Sequence, residues 1–195
     1  MHFWAFILIF TAAHAKIQVS TARAPPPRAA MQFHAFEQCK GVETPFLMRN
    51  SSITRSRHGA AAFSADFFNH KVLKTFSKLE ITMTKCADAV SYNTCEYEGT
   101  HKFSVGLCQL ITSPTMPWSS SVNCLQPPVR CPLATGAYAL RNATVDMSAV
   151  FKLAGPGILD GKFDNIYKAD VRVFNEKNEM HICFTATYSV KRIKN

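Results

Sequence analysis

Residues 131–138 constrain the fold of this chain more than any other segment, and they read Cys-Pro-Leu-Ala-Thr-Gly-Ala-Tyr. The segment places a cysteine, a turn-forming proline, a glycine and an aromatic residue at the entry to an alternating stretch. Turn signals before an alternating stretch indicate a β-strand. Because the chain contains seven cysteines, the segment favours a disulfide-stabilised β-structure.

Residues 1–15 have the features of a cleavable secretory signal. Residues 3–10 form an apolar run that is too short to span a bilayer, and Ala13-His14-Ala15 has the small-x-small pattern of a cleavage site. We therefore expect a signal peptide over residues 1–15, a basic proline-rich linker over residues 16–32 and one domain over residues 33–195.

The cysteines of a secreted chain are expected to form disulfides rather than a metal or redox site, because oxidising compartments keep such bridges closed. The sequence has no Cys-x-x-Cys pair and no histidine at zinc-finger spacing from a cysteine. We expect no metal and no cofactor. The odd number of cysteines leaves at least one without a partner in the chain.

Two sequons for N-glycosylation occur in the sequence. They are Asn50-Ser51-Ser52 and Asn142-Ala143-Thr144, and modification would require Asn50 and Asn142 to lie on the surface.

The formal net charge of the chain is +9. For any single charge a solvated basic surface is the better explanation, whereas the sum of the charges favours attraction to an anionic membrane surface or to acidic glycans. The sequence contains no recognised nucleic-acid-binding motif, so we do not expect nucleic acid as a partner.

Two stretches alternate between apolar and polar side chains, as half-buried strands do. Residues 78–85 place Leu79, Ile81 and Met83 on one face. Residues 167–174 have the same period and are followed by a turn and by a long alternating strand. These last two segments are expected to form a terminal hairpin.

Further strands are expected over residues 60–68, 72–76 and 138–147, and residues 105–111 are expected to form one short helical turn. Many short strands without a long helix are typical of an antiparallel sandwich. The expected fold class is an all-β, immunoglobulin-like antiparallel two-sheet β-sandwich.

The sequence resembles the ML (lipid-recognition) family over residues 33–193. The order and spacing of several parts together carry this resemblance, and no single part is decisive. The parts are Phe36-Glu37-Gln38-Cys39, the pair Cys86 and Cys95, Leu107-Cys108, Cys131-Pro132-Leu133 and Met180-His181-Ile182-Cys183.

The resemblance implies a two-sheet cup with an unfilled core that accepts acyl chains or a sterol. It also implies three disulfides, Cys39–Cys183, Cys86–Cys95 and Cys108–Cys131, and it leaves Cys124 unpaired. A bridge between Cys124 and Cys131 is the alternative in this region.

Apolar residues of the expected strands are candidates for lining such a cavity, and a filled core would use the same residue types. The candidates are Phe63, Phe67, Leu79, Ile81, Phe103, Val171, Val173, Ile182 and Phe184.

Two apolar loops are candidates for the rim of the cup, where the resemblance implies contact with a membrane. One contains Met116 and Trp118 between prolines, and the other runs from Leu153 through a Gly-Pro-Gly segment to Ile158 and Leu159. Apolar loop tips indicate a contact surface, and Trp favours a membrane interface. The alternative is that these side chains fold back over the core.

The sequence contains no motif of a known catalytic site, so we expect a non-enzymatic protein. The resemblance implies a secreted or lysosomal protein that extracts, carries or presents a lipid, in the manner of family members that present glycolipids to a hydrolase. Its expected partners are a lipid, an anionic membrane and a glycolipid hydrolase. The alternatives are a sterol carrier, a lipid-sensing immune co-receptor, or a disulfide-rich secreted interaction protein without a lipid.

Overall fold

The computed structural model describes residues 29–55, 61–87, 94–154, 163 and 165–192. These residues form nine strands and three short helices. In chain order the elements are β1 (Ala29–Gln38), β2 (Phe46–Arg55), β3 (Ala61–Asn69), β4 (Lys78–Cys86), β5 (Cys95–Phe103), α1 (Leu107–Thr112), α2 (Ser119–Asn123), β6 (Leu125–Gln126), β7 (Gly136–Ala143), α3 (Met147–Ala154), β8 (Ile166–Phe174) and β9 (Met180–Arg192).

The strands form two sheets that pack against each other. The first sheet has five strands in the order β1-β9-β8-β4-β5, and the second has four in the order β2-β3-β7-β6. Neighbouring strands are antiparallel in both sheets. The expected all-β two-sheet sandwich is confirmed, and so is the hairpin of β8 and β9. α1 lies where a short helical turn was expected.

Two segments differ from the strands expected in the sequence. β1 begins at Ala29, where no strand was expected, because its first residues pair with the end of β9. The strand expected over residues 72–76 is reduced to an isolated bridge between Leu73 and Leu133. Both residues are nevertheless buried in the core.

The strand expected over residues 138–147 is also too long, because β7 ends at Ala143 and α3 begins at Met147. Asn142 has a φ of 52°, a left-handed conformation that interrupts an extended strand. Asp146 then caps α3, since its carboxylate accepts a hydrogen bond from the backbone N–H of Ser148 at 2.8 Å. The Ser148 hydroxyl donates to the same oxygen at 2.7 Å and holds the pKa of Asp146 below its ordinary value.

A continuous series of aromatic rings joins the two sheets. Phe36 of the first sheet lies 4.7 Å from Phe63 of the second, and Phe184 lies 6.2 Å from Phe67, measured between ring centroids. Each such pair contributes about 0.5–1.5 kcal/mol beyond the burial of its area. The rings, in order of contact, are Phe33, Phe63, Phe36, Phe184, Phe67, Phe46 and Tyr138.

Side-chain hydrogen bonds close the sandwich along the edge formed by β1 and β2. The Gln38 side chain accepts a hydrogen bond from the Met48 backbone N–H at 2.9 Å and donates one to the Phe46 carbonyl at 3.4 Å. The Ser51 hydroxyl donates to the Phe36 carbonyl at 2.9 Å. Because β1 and β2 are edge strands of different sheets, these bonds join the sheets directly.

Three disulfides stabilise the sandwich, and they are the pairs that the resemblance implies. Cys39–Cys183 links the end of β1 to β9, Cys86–Cys95 links β4 to β5, and Cys108–Cys131 links α1 to the segment before β7. Cys124 is free and partly buried, so the alternative bridge to Cys131 is not formed. The three disulfides fit a protein of an extracellular or lysosomal compartment.

We predict that the long-range disulfide contributes more stability than the short one. Cys39–Cys183 closes a loop with a sequence separation of 144, whereas Cys86–Cys95 has a separation of 9. Loop entropy gives about 5 kcal/mol for the first and about 2.6 kcal/mol for the second. Urea unfolding of the Cys39→Ala/Cys183→Ala and Cys86→Ala/Cys95→Ala variants measures both losses. Equal losses would contradict the prediction.

Candidate functional site

The inner face of the first sheet, which is turned toward the second sheet, carries the candidate site. Strand pairing places Leu79 of β4 beside Val173 of β8, and Val173 beside Ile182 of β9. These three side chains are 8%, 5% and 7% exposed. They belong to a core cluster that includes residues of both sheets, so the sandwich is filled at this row.

The next row on the same three strands is packed differently. Ile81 lies beside Val171, and Val171 beside Phe184. All three side chains are only partly buried, although β8 is the central strand of the five. In a sandwich filled to ordinary interior density, inward side chains in the middle of a central strand are covered completely. These side chains pack against the edge of the core cluster, and this row is therefore covered less completely than the row of Leu79.

The partly buried surface continues along β4 and β9. Met83, Ala186 and Tyr188 follow the second row on the inner face, and each is partly buried. Ala169 of β8, which lies between Met83 and Ala186 in register, is buried. We use the name inner patch for six partly buried residues of this face, which are Ile81, Met83, Val171, Phe184, Ala186 and Tyr188, and Lys85 of β4 lies at its end.

The inner face of β3 in the second sheet is covered throughout its length. Ala61, Phe63, Ala65 and Phe67 are all buried. Phe67 contacts the ring of Phe184 from the opposite side. The exposed part of the interior therefore lies on the side of β8 and β4, away from the edge that β1 and β2 close.

The structure separates the expected lining residues into three groups. Those in the inner patch are Ile81, Val171 and Phe184. Those buried in the packed core are Phe63, Phe67, Leu79, Val173 and Ile182. Phe103, on the edge strand β5, is 40% exposed.

Met83, Ala186 and Tyr188 belong to the inner patch but were not among the expected lining residues. Their signal in the sequence is the alternation of β4 and β9, which places them on the same face as Ile81 and Phe184.

The segment between β5 and α1 exposes apolar side chains. Phe103 lies beside Leu79 in register and ends the edge strand, and Val105 is 88% exposed. Gly106 then adopts a φ of 61° at the start of α1, a conformation that glycine reaches without strain. This apolar segment lies at the open edge of the first sheet.

Of the expected rim residues, Met116 and Trp118 are partly buried. The Trp118 indole N–H donates a hydrogen bond to the carbonyl of Ile111 in α1 at 3.2 Å. The Pro117 carbonyl accepts one from the Asp146 N–H at 3.0 Å. These bonds tie the loop to α1 and to the start of α3. A role of Met116 and Trp118 at a membrane stays a prediction.

The second expected rim loop lies largely outside the described residues. Ile158 and Leu159 are in residues 155–162, and Leu153 is in α3 but its side chain is outside what the structure describes. Their assignment to the rim stays a prediction.

The ion-paired side chains of β4 and β8 lie on the outer face of the first sheet. Lys85, near the end of β4, instead shares the face of Met83 and pairs with Tyr167. Glu80 contacts Lys78 at 3.3 Å and Lys102 at 3.8 Å, and Lys168 contacts Asp170 at 3.7 Å. The inner patch consists of apolar side chains and one phenol. It can therefore bury apolar groups, and among the described residues no cluster has the ligands to hold a metal ion.

A polar concavity of about 250 Å³ lies on the outer face, next to the Cys39–Cys183 disulfide. Lys168, Asp170 and Thr185 contribute to its lining, and the Thr185 hydroxyl donates a hydrogen bond to Asp170 at 2.6 Å. This concavity is on the opposite face of the sheet from the inner patch.

Both sequon asparagines are exposed. Asn50 lies in β2 and Asn142 near the end of β7. Because both side chains are exposed, they are accessible to glycosylation, and their modification stays a prediction.

Comparison of the chain with protein-family models and with curated proteins finds no match. Among the described residues, no helix is long and apolar enough to cross a membrane.

A buried histidine joins the two sheets at the end of the sandwich opposite α3. His181 of β9 is 1% exposed, and its Nε2 lies 2.9 Å from the side-chain oxygen of Asn69 at the end of β3. The Asn69 amide donates to the Ala134 carbonyl at 2.7 Å. Burial lowers the pKa of His181 below its ordinary value of about 6.5, and the nearby charge of Lys71 lowers it further, while Glu176 opposes this.

We predict that the folded protein loses stability as the pH falls below about 6.5. The pKa of His181 is lower in the folded state than in the unfolded state, so the unfolded chain binds the proton first. The neutral form is stabilising above the unfolded pKa, and its contribution is lost as the pH falls toward the folded pKa. The slope reaches at most about 1.4 kcal/mol per pH unit for one histidine.

Urea unfolding between pH 7.5 and about 5 tests this prediction. The His181→Gln variant should show a weaker loss of stability than wild type, and His101→Gln, at an exposed position of β5, should behave as wild type. His34, whose pKa is also lowered by burial, adds a dependence of the same sign. A wild-type stability that is constant over this range would contradict the prediction.

Proposed function

We propose that this is a secreted or lysosomal lipid-binding protein that extracts, carries or presents a lipid without converting it. The apolar part of the lipid would lie between the sheets against the inner patch, and the headgroup would stay outside for an enzyme or a membrane. This function resembles that of the ganglioside activator in the ML family, and a glycosphingolipid-like ligand fits it.

The partly buried row of Ile81, Val171 and Phe184 carries this proposal. The three side chains are apolar, face the second sheet and lie on central strands, yet they are only partly buried. Each CH₂ group that leaves water to cover them gains about 0.8 kcal/mol before the costs of binding are subtracted. A lipid chain supplies such groups in a row, which matches the arrangement of the residues.

Two further features support the same function. The net charge of +9 favours approach to an anionic membrane, from which a carrier must take its lipid. Phe103 and Val105 are exposed apolar side chains at the open edge of the first sheet, where a lipid chain would enter.

Two alternatives differ from this proposal in what occupies the interior. A sterol carrier or lipid-sensing co-receptor of the same family would hold a different lipid in the same space. A disulfide-rich interaction protein would hold none and would act through its surface.

We predict that the Val171→Trp variant loses lipid affinity while keeping its fold. The larger side chain would occupy the space beside Ile81 and Phe184, and we expect the affinity to fall by at least about tenfold, which corresponds to about 1.4 kcal/mol. Because the side chains there are only partly buried, the free energy of unfolding should change by less than about 1 kcal/mol, whereas overpacking a filled core costs about 1–3 kcal/mol.

The measurement is the transfer of a fluorescent glycosphingolipid from anionic vesicles to the purified protein, together with urea unfolding. Val72→Trp is the matched control, because Val72 is exposed outside the sandwich, and it should transfer lipid as wild type does. A wild-type protein that takes up no lipid, with Val171→Trp clearly destabilised, would support the filled-core alternative.

A further inference from the structure

The side chain of Tyr188 crosses the inner patch. Tyr188 lies on β9 beside Tyr167 of β8, and the two rings stack with centroids 5.9 Å apart. Its hydroxyl reaches Met83 on β4, although β8 lies between β9 and β4. The inward residue of β8 in the row of Met83 is Ala169, whose small side chain leaves room for this crossing.

The hydroxyl of Tyr188 has a weak hydrogen-bond partner. Among the described residues it contacts the Met83 sulfur at 3.9 Å, and a thioether is a poor acceptor. Tyr138, by contrast, donates to the Ala134 carbonyl at 2.9 Å. The Tyr188 hydroxyl therefore has a weaker acceptor than the carbonyl that Tyr138 uses.

This hydroxyl is a donor rather than an anion at physiological pH. Burial raises the pKa of Tyr188 well above its ordinary value, and Tyr167 raises it further. The proton is therefore present, and the hydroxyl donates it toward the Met83 sulfur within the inner patch. An oxygen acceptor that replaced the sulfur would form a much stronger bond.

We propose that Tyr188 is the polar anchor of the lipid site and donates its hydrogen bond to an oxygen at the base of the lipid's apolar part. This inference rests on the proposed function and specifies its ligand. The fitting lipids carry an ester or amide carbonyl, or a hydroxyl, next to a long apolar group. The apolar group then extends over Ile81, Val171 and Phe184, which lie on the same face.

The Tyr188→Phe variant tests this assignment, because it removes the hydroxyl and keeps the ring. The probes are ceramide, diacylglycerol and cholesterol, which carry an amide, an ester and a hydroxyl, and hexadecane, which carries no oxygen. Binding is measured by displacement of a fluorescent fatty acid. We expect Tyr188→Phe to bind the oxygen-bearing probe that wild type prefers about tenfold more weakly, and to bind hexadecane as wild type does.

Tyr138→Phe is the matched control, since its hydroxyl bonds to the backbone away from the inner patch. It should lose some stability and keep the wild-type affinities. Equal affinities of wild type and Tyr188→Phe for every probe would overturn the anchor, and so would an equal loss for hexadecane, which would indicate a change of shape. If wild type binds none of the four probes and no fluorescent fatty acid, the proposed function itself fails.

Discussion

The hydrogen bonds and aromatic contacts that hold the two sheets together along β1 and β2 are the constraint on which the rest of the structure depends. Hydrogen bonds of Gln38 and Ser51 join the two edge strands, and the aromatic series fills the space behind them. Phe184 is the last ring of the series that belongs to the first sheet, and its side chain is only partly buried. Because packing is strong on this side, the opposite side of the first sheet can remain only partly covered without separating the sheets.

An uncovered interior lowers stability, at about 24 cal/mol per Å³ where it forms a cavity. The Cys39–Cys183 disulfide, with an entropic contribution of about 5 kcal/mol, offsets such a loss. Ala169 and Ala186 keep the space open, since larger side chains at these positions would fill it. We propose that the apolar part of a lipid packs against the inner patch. The hydrogen bond from Tyr188 would then determine how far the lipid enters between the sheets.

The sequence predicted the fold well because its signals are local. The alternation of β4, β8 and β9 specifies strands and their faces, and the turn before β9 specifies their pairing. The inner patch could not be predicted in the same way. Val171 and Val173 have the same side chain and the same face, yet one is partly exposed and the other is buried. That difference depends on how far the second sheet extends over each row, which is a property of tertiary packing.

The most direct test of the central claim is the lipid content of the purified mature protein, measured by mass spectrometry of an organic extract and related to the protein concentration. The account predicts a lipid with a long apolar part and an acceptor oxygen, at a ratio that approaches one molecule per chain after incubation with lipid vesicles. A protein that contains no lipid after purification and after such incubation would contradict it.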